Sequence, residues 1–332
     1  FACIGVWVSC TDPIDQAAKK RIFSPEDPPQ IVAAAREMLV LDGIENNPSL
    51  ASRIFAMSAG EAIERIGSHR YVASLSWEWM SEGRTSRLRE DRELVSGPGG
   101  LAGDFHAKIW NSNQLGLEVM RVGGRVFARS TYGKDGAGRF RERVRDRGMA
   151  ERMRDEAFGA LRAVDDLFMG RLRLTADGTT TQKDRTVEKF KVSLAADGRR
   201  QEIHLPSIAP AAAGVDQTSR RRQAMFEHRV PKSLTGEIQI DQSTGAIVAA
   251  RIDGRMTVNA EKAESELHLT LSSSMSDFSK KQGIAVPQDF LPDEDKPDAV
   301  AAALARFGFL RKGAENQAPA ASEPDDSADR GD

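Results

Sequence analysis

The sequence predicts an α+β fold in which a curved antiparallel sheet is covered by a few helices. Three observations predict it. Helical patterns come first, then about four strand patterns, one long helical stripe and several more strands, without regular alternation of strand and helix. The clearest strands carry one apolar and one charged face, as in an antiparallel sheet with one side in water. Roughly ten long strands with so few helices must curl or close to hide an apolar face.

The elements follow in order. Residues 31–41 have helical spacing, with Ile31, Ala34, Ala35, Met38 and Leu39 on one side. Pro48 opens a second helical stretch containing Leu50, Ile54, Phe55, Ala62 and Ile63, and Ser58 with Glu61 has the spacing of a cap inside it. From Tyr71 the period becomes two: Tyr71, Ala73, Leu75, Trp77 and Trp79 alternate with Val72, Ser74, Ser76, Glu78 and Met80, and Phe105, Ala107 and Ile109 alternate with His106, Lys108 and Trp110. Gly123-Gly124, flanked by the runs 117–122 and 125–131, is a two-residue hairpin signal. The helix near 151–169 presents Met153, Ala157, Leu161, Val164 and Phe168, leaving Arg154, Asp165 and Asp166 on its solvent side. Strands resume at 171–176 and 185–194, the latter with Phe190, Val192 and Leu194 on one face. A connection is expected over 206–232. The last strands hold Leu234, Ile238 and Ile240, then Val248, Ala250, Ile252, Gly254, Met256 and Val258, then Leu267, Leu269 and Leu271. A helical stretch at 299–307 precedes a tail, 313–332, whose composition disfavours folding.

Composition limits the functions available. The 332 residues suffice for one large domain or two small ones, and 40% apolar with 29% charged residues is a globular profile. Of the net charge of −2, the acidic tail contributes −5, which leaves +3 for the rest, too little to imply a nucleic-acid partner. The two cysteines, Cys3 and Cys10, both fall in the first ten residues, so nothing after Cys10 can form a disulfide or thiolate site. His69, His106, His204, His228 and His268 are scattered without metal-ligand spacing. HExxH, GxSxG and phosphate-loop motifs are absent, and 97–100 reads as a hairpin loop. Neither a catalytic residue, a metal nor a cofactor is expected.

Residues 1–10 are apolar and break at Thr11-Asp12-Pro13. That length matches a signal-peptide core and is short of the ~20 residues that span a bilayer. With no initiator Met or basic segment before it, the chain is expected to start inside a leader. Val8-Ser9-Cys10 resembles a bacterial lipobox, although Trp7 stands where the pattern prefers Leu. That resemblance implies that Cys10 is lipidated, and the polar, Pro-rich composition of 11–30 reads as a tether. The alternative is an incidental Cys in a buried first strand.

Two features remain. Arg139, Arg141, Arg143, Arg145, Arg147, Arg152 and Arg154 face either anionic headgroups, at roughly 1 kcal/mol each near such a surface, or simply solvent. Leu75, Trp77, Trp79, Phe105, Ile109, Val119, Phe190, Ile238, Ile252 and Leu269 form one broad apolar face. They are either plain core or the lining of a ligand cavity.

With these elements in view, the chain resembles the LolA-like superfamily, and more closely its LppX/LprG-type lipid-binding lipoproteins. The residues that carry this are 116–129, like the family's mid-chain hairpin, and 234–251, like its strand pair around an aspartate-and-glycine turn. Residues 267–278 followed by 284–287 match its closing strand and exit. The likeness spans about 31–290, as a pattern of elements, and does not extend to 206–232, 299–312 or the tail. It implies a half-open β-barrel over 31–312, helices as lids near 31–66 and 151–169, and a lipid-bearing Cys10 as anchor. The expected function is binding or transfer of a lipid or other apolar molecule by an envelope lipoprotein facing periplasm or cell surface. The alternative is a non-catalytic interaction or structural lipoprotein with a packed core and no ligand.

Overall fold

The computed structural model describes residues 41, 43–130, 138–144, 146, 148–182, 185–196, 227–260, 263–280 and 282–293. Cys3, Cys10, the tether 11–30, nearly all of the helical stretch 31–41, the connection 206–226, the stretch 299–307 and the tail 313–332 lie outside them.

A 3-10 turn at Ile44–Asn46 leads into helices α1 (Pro48–Phe55) and α2 (Ala59–Ile66). Asn47 caps α1 by accepting from the Leu50 N–H at 3.1 Å, and Pro48 starts it with a preset φ. Ser58 caps α2 by accepting from the Glu61 N–H at 3.1 Å, as the spacing predicts. Strands β1 (Arg70–Ser81), β2 (Arg84–Ser96), β3 (Phe105–Asn111), β4 (Gly116–Val122), β5 (Arg125–Ser130) and β6 (Phe140–Glu142) follow. Then come α3 (Met149–Phe158) and α4 (Ala160–Leu167), and after them β7 (Leu172–Gln182), β8 (Arg185–Leu194), β9 (Arg229–Asp241), β10 (Ile247–Ala260), β11 (Ala263–Ser276) and β12 (Phe290–Leu291).

The strands form one sheet in the order β12-β6-β5-β4-β3-β2-β1-β11-β10-β9-β8-β7. Every neighbouring pair is antiparallel except the short β12–β6 contact. β7 and β12 are the edges, so the sheet is open, as expected for an α+β half-barrel. The seam is the long β1–β11 pairing, which joins the N- and C-terminal strands from Arg70↔Ser276 to Met80↔Glu266. Gly123 and Gly124, at φ 57° and 78°, make the β4–β5 turn in the left-handed conformation that matches strand twist.

Three expectations need correction. The helix near 151–169 is two helices that meet at Gly159, although its apolar stripe stays buried throughout. β2 has no counterpart in the hydrophobic pattern and is a full strand. Residues 229–232, read as connection, belong to β9.

The helices pack on the apolar face. The Phe158 ring lies 4.7 Å from that of Tyr71, and Phe168, just past α4, sits against Gly254, where an added Cβ would fall 2.2 Å from its Cζ. Arg229 donates to the Leu167 and Asp166 carbonyls at 3.0 and 2.8 Å, placing a cation on the C-terminus of α4. Among the described residues no helix is long and apolar enough to cross a membrane.

Candidate functional site

Because strand side chains alternate, parity and register decide which residues meet. Trp77 opposes Leu269, which opposes Gly254; Leu75 opposes Leu271, then Ile252 and Gly236. Phe190 opposes Ile238, and Ala107 joins Leu94 to Val119. All ten residues expected to line the apolar face therefore share one face of the sheet.

They differ in cover. Leu75, Phe105, Val119, Phe190, Ile238, Ile252 and Leu269 are buried, at 3% exposure or less. Trp77, Trp79 and Ile109 are half-buried, and Leu88, opposite Trp77, is 37% exposed. The apolar face thus continues past its helical cover to a partly open rim at the β1–β2 end. Phe168, fully buried, fills the space over Gly254 in its middle. This plug has a sequence signal, a large aromatic ending the helical stripe and a glycine interrupting an apolar strand face, but the pairing of the two does not.

Polar groups beneath the helices are fewer. Asp165 is 1% exposed, with Oδ2 accepting from the Ser52 hydroxyl of α1 and Oδ1 lacking a partner among the described residues. Burial is the main reason its carboxyl is pushed up to about 6. Asp165 and Arg154 were expected in solvent; both are buried, since α3 and α4 have neighbours on more than one side.

The opposite face is mostly polar, with Met120 and Phe127 buried at its β4–β5 end. There Glu118, 2% exposed, meets the His106 Nε2 and accepts from the Arg129 Nε, both at 2.5 Å, with the Lys108 Nζ at 3.7 Å. Burial raises its pKa, but the hydrogen bonds from His106 and Arg129 outweigh that and hold the carboxyl below its ordinary value. The same face carries a groove of 730 Å³ across β9, β10, β11, β1, β2 and β3. Sequence reasoning missed it. Its signal is the run of small hydroxyl residues Ser272-Ser273-Ser274 and, on β1, Ser74.

The arginine stretch is largely engaged within the fold. Arg139 pairs with Asp289, Arg143 with Asp293 at 3.9 Å, and Arg141 donates to the Pro292 carbonyl at 3.3 Å. Arg154 pairs with Asp155 at 3.1 Å; Arg145 and Arg147 lie outside the described residues. Among the described residues no three His, Cys, Asp or Glu side chains gather as a metal site.

No protein-family model matches the chain, and no curated protein matches it. Among solved structures it is similar to LprF from Mycobacterium bovis, at 12% identity over 71% of this chain and 96% of that one, TM-score 0.28. It is also similar to the lipoprotein LppX from Mycobacterium tuberculosis, at 10% identity over 72% and 100%, TM-score 0.25. A LolA superfamily protein from Nitrosomonas europaea matches at 9% identity over 69% and 92%, TM-score 0.18. All three are likenesses at low identity and low TM-score. What the chain does must come from its own residues.

Proposed function

We propose that this chain is an envelope lipoprotein, anchored through Cys10, that binds or transfers a lipid or another apolar molecule along the helix-covered face of its sheet. The observation that carries the reading is the half-buried rim of Trp77, Trp79 and Ile109 beside the exposed Leu88, continuous with fully buried apolar side chains. An acyl chain laid on that rim gains roughly 0.8 kcal/mol per buried methylene, before the costs of immobilisation. Such binding is reversible, which transfer requires. α3, α4 and the Phe168 plug are the elements that would move to lengthen the site. The second reading, a packed protein with no ligand, is favoured by that same plug over Gly254.

A titration with a fluorescent fatty acid tests the ligand. Saturable binding is expected, weakened roughly tenfold, or ~1.4 kcal/mol, by Trp77→Arg with Trp79→Arg. Signal that rises without saturating, or is indifferent to both changes, contradicts it. For the anchor, metabolic labelling with a fatty acid should be lost in Cys10→Ala; label that survives refutes it.

A further inference from the structure

The 730 Å³ groove lies on the face away from the helices, and its volume is within the about 300–1,000 Å³ of small-ligand sites. Its floor is β1 and β11, where Val72, Ser74, Ser272 and Ser274 keep the side chains short. Longer side chains stand on either side. One cross-strand row runs Trp110, Asp91, Ser74, Ser272, Arg251, Glu237, fixed by the register of β3, β2, β1, β11, β10 and β9.

Much of the charge is already neutralised. Arg89 holds Asp91 at 3.0 Å and donates to the Ser74 Oγ at 3.1 Å. Glu93 lies 2.8 Å from Arg70 and 3.8 Å from Lys108. Arg251, Ser272 and Ser274 hold no side-chain hydrogen bond or ion pair among the described residues. Among the described residues Glu237 likewise makes no side-chain hydrogen bond or ion pair, and Gln239 Oε1 is buried without a partner.

We propose that this groove binds an uncharged oligosaccharide. What stands ready is one guanidinium, one carboxylate, hydroxyls and an amide oxygen, a set with no net charge to select an ion. A polar floor disfavours an apolar ligand, whose contact would strip water from unpaired groups. Neighbouring sugar hydroxyls match it: each both donates and accepts, so two can meet the fork of Arg251 or the two oxygens of Glu237 at once. Trp110, half-buried and packed over Gly116, supplies a flat apolar wall for the C–H face of a ring. Trp110 and Arg251 stand four strand steps apart, about 19 Å along the sheet at ~4.8 Å per step, which selects a chain rather than a single sugar. The site is independent of the apolar one, since the two lie on opposite faces.

The test is an array of neutral oligosaccharides probed with the full chain, followed by calorimetry on those retained. Inorganic phosphate, a heparin fragment and phosphatidylcholine vesicles are the competing probes. At least one neutral oligosaccharide should bind saturably, and Arg251→Ala and Trp110→Ala should each weaken it roughly tenfold. Glu237→Gln, at an exposed position, should weaken it as well and stands in should Trp110→Ala fail to fold. Absence of neutral-glycan binding at millimolar concentration, tighter binding of heparin, phosphate or vesicles in this groove, or binding that ignores Arg251→Ala and Glu237→Gln overturns the proposal. Failure here leaves the fatty-acid titration untouched, because that probe reports on the other face.

Discussion

Asp165 is held by α4 against the Ser52 hydroxyl of α1, in a site that desolvates it. Its carboxyl titrates near 6 in the folded protein against the ordinary 3.8. The folded state thus binds the proton more tightly than the unfolded chain. The destabilisation is absent below about pH 4, grows between pH 4 and 6, and is complete above 6. Two units correspond to about 3 kcal/mol, an upper figure for this partly compensated site. Asp165→Asn should therefore raise stability at pH 7.5 by roughly 1–3 kcal/mol and leave it nearly unchanged at pH 4. Urea denaturation at the two pH values reads this directly; an equal effect at both would contradict it. The residue also shows what periodicity leaves out. A helical stripe identifies the apolar side of α3 and α4, and Met153, Ala157, Leu161, Val164 and Phe168 are all buried. It gives no hint that α1 packs behind α4 and buries Asp165 too.

Turns and strands are the next scale, and the turn between β9 and β10 shows how one side chain sets a register. Asp241, with no exposed surface, sits under strong desolvation that raises its pKa. Hydrogen bonds from Ser243 at 2.5 Å, Arg185 at 2.9 Å and the Thr244 N–H at 2.9 Å reverse that and hold the carboxylate below its ordinary range. Its contribution is present above about pH 4 and is lost as pH falls through the lowered folded value. Asp241→Ala should cost roughly 2–3 kcal/mol at pH 7 and less at pH 3, measured by urea titration. A loss that is the same at both would place the effect in packing instead. This turn, the Gly123-Gly124 hairpin and the alternation of β1 and β11 were legible, since each couples a short-range pattern to one structure. β2 was not. Arg84, Arg87, Arg89, Glu90, Asp91, Arg92 and Glu93 carry no period-two hydrophobicity, and the strand is set by its neighbours β1 and β3. Among them, Arg92 donates to the Glu156 carbonyl at 2.7 Å on the helix side.

Across the whole molecule, one open sheet separates two environments. The ten residues from Leu75 to Leu269 stand on one face because strand parity is fixed by sequence, so their shared face was legible. The gradient from buried Leu75 to half-buried Trp79, the Phe168 plug and the groove behind them were not, because they depend on which helices cover which strands. The central claim is that the apolar face takes a ligand. Native mass spectrometry of the chain, produced in a bacterial host and purified without detergent, tests it most directly. The account predicts adducts in the mass range of lipids, released on raising the collision energy and depleted in Trp77→Arg with Trp79→Arg. Bare protein alone, or adducts that persist unchanged in that double variant, would contradict it.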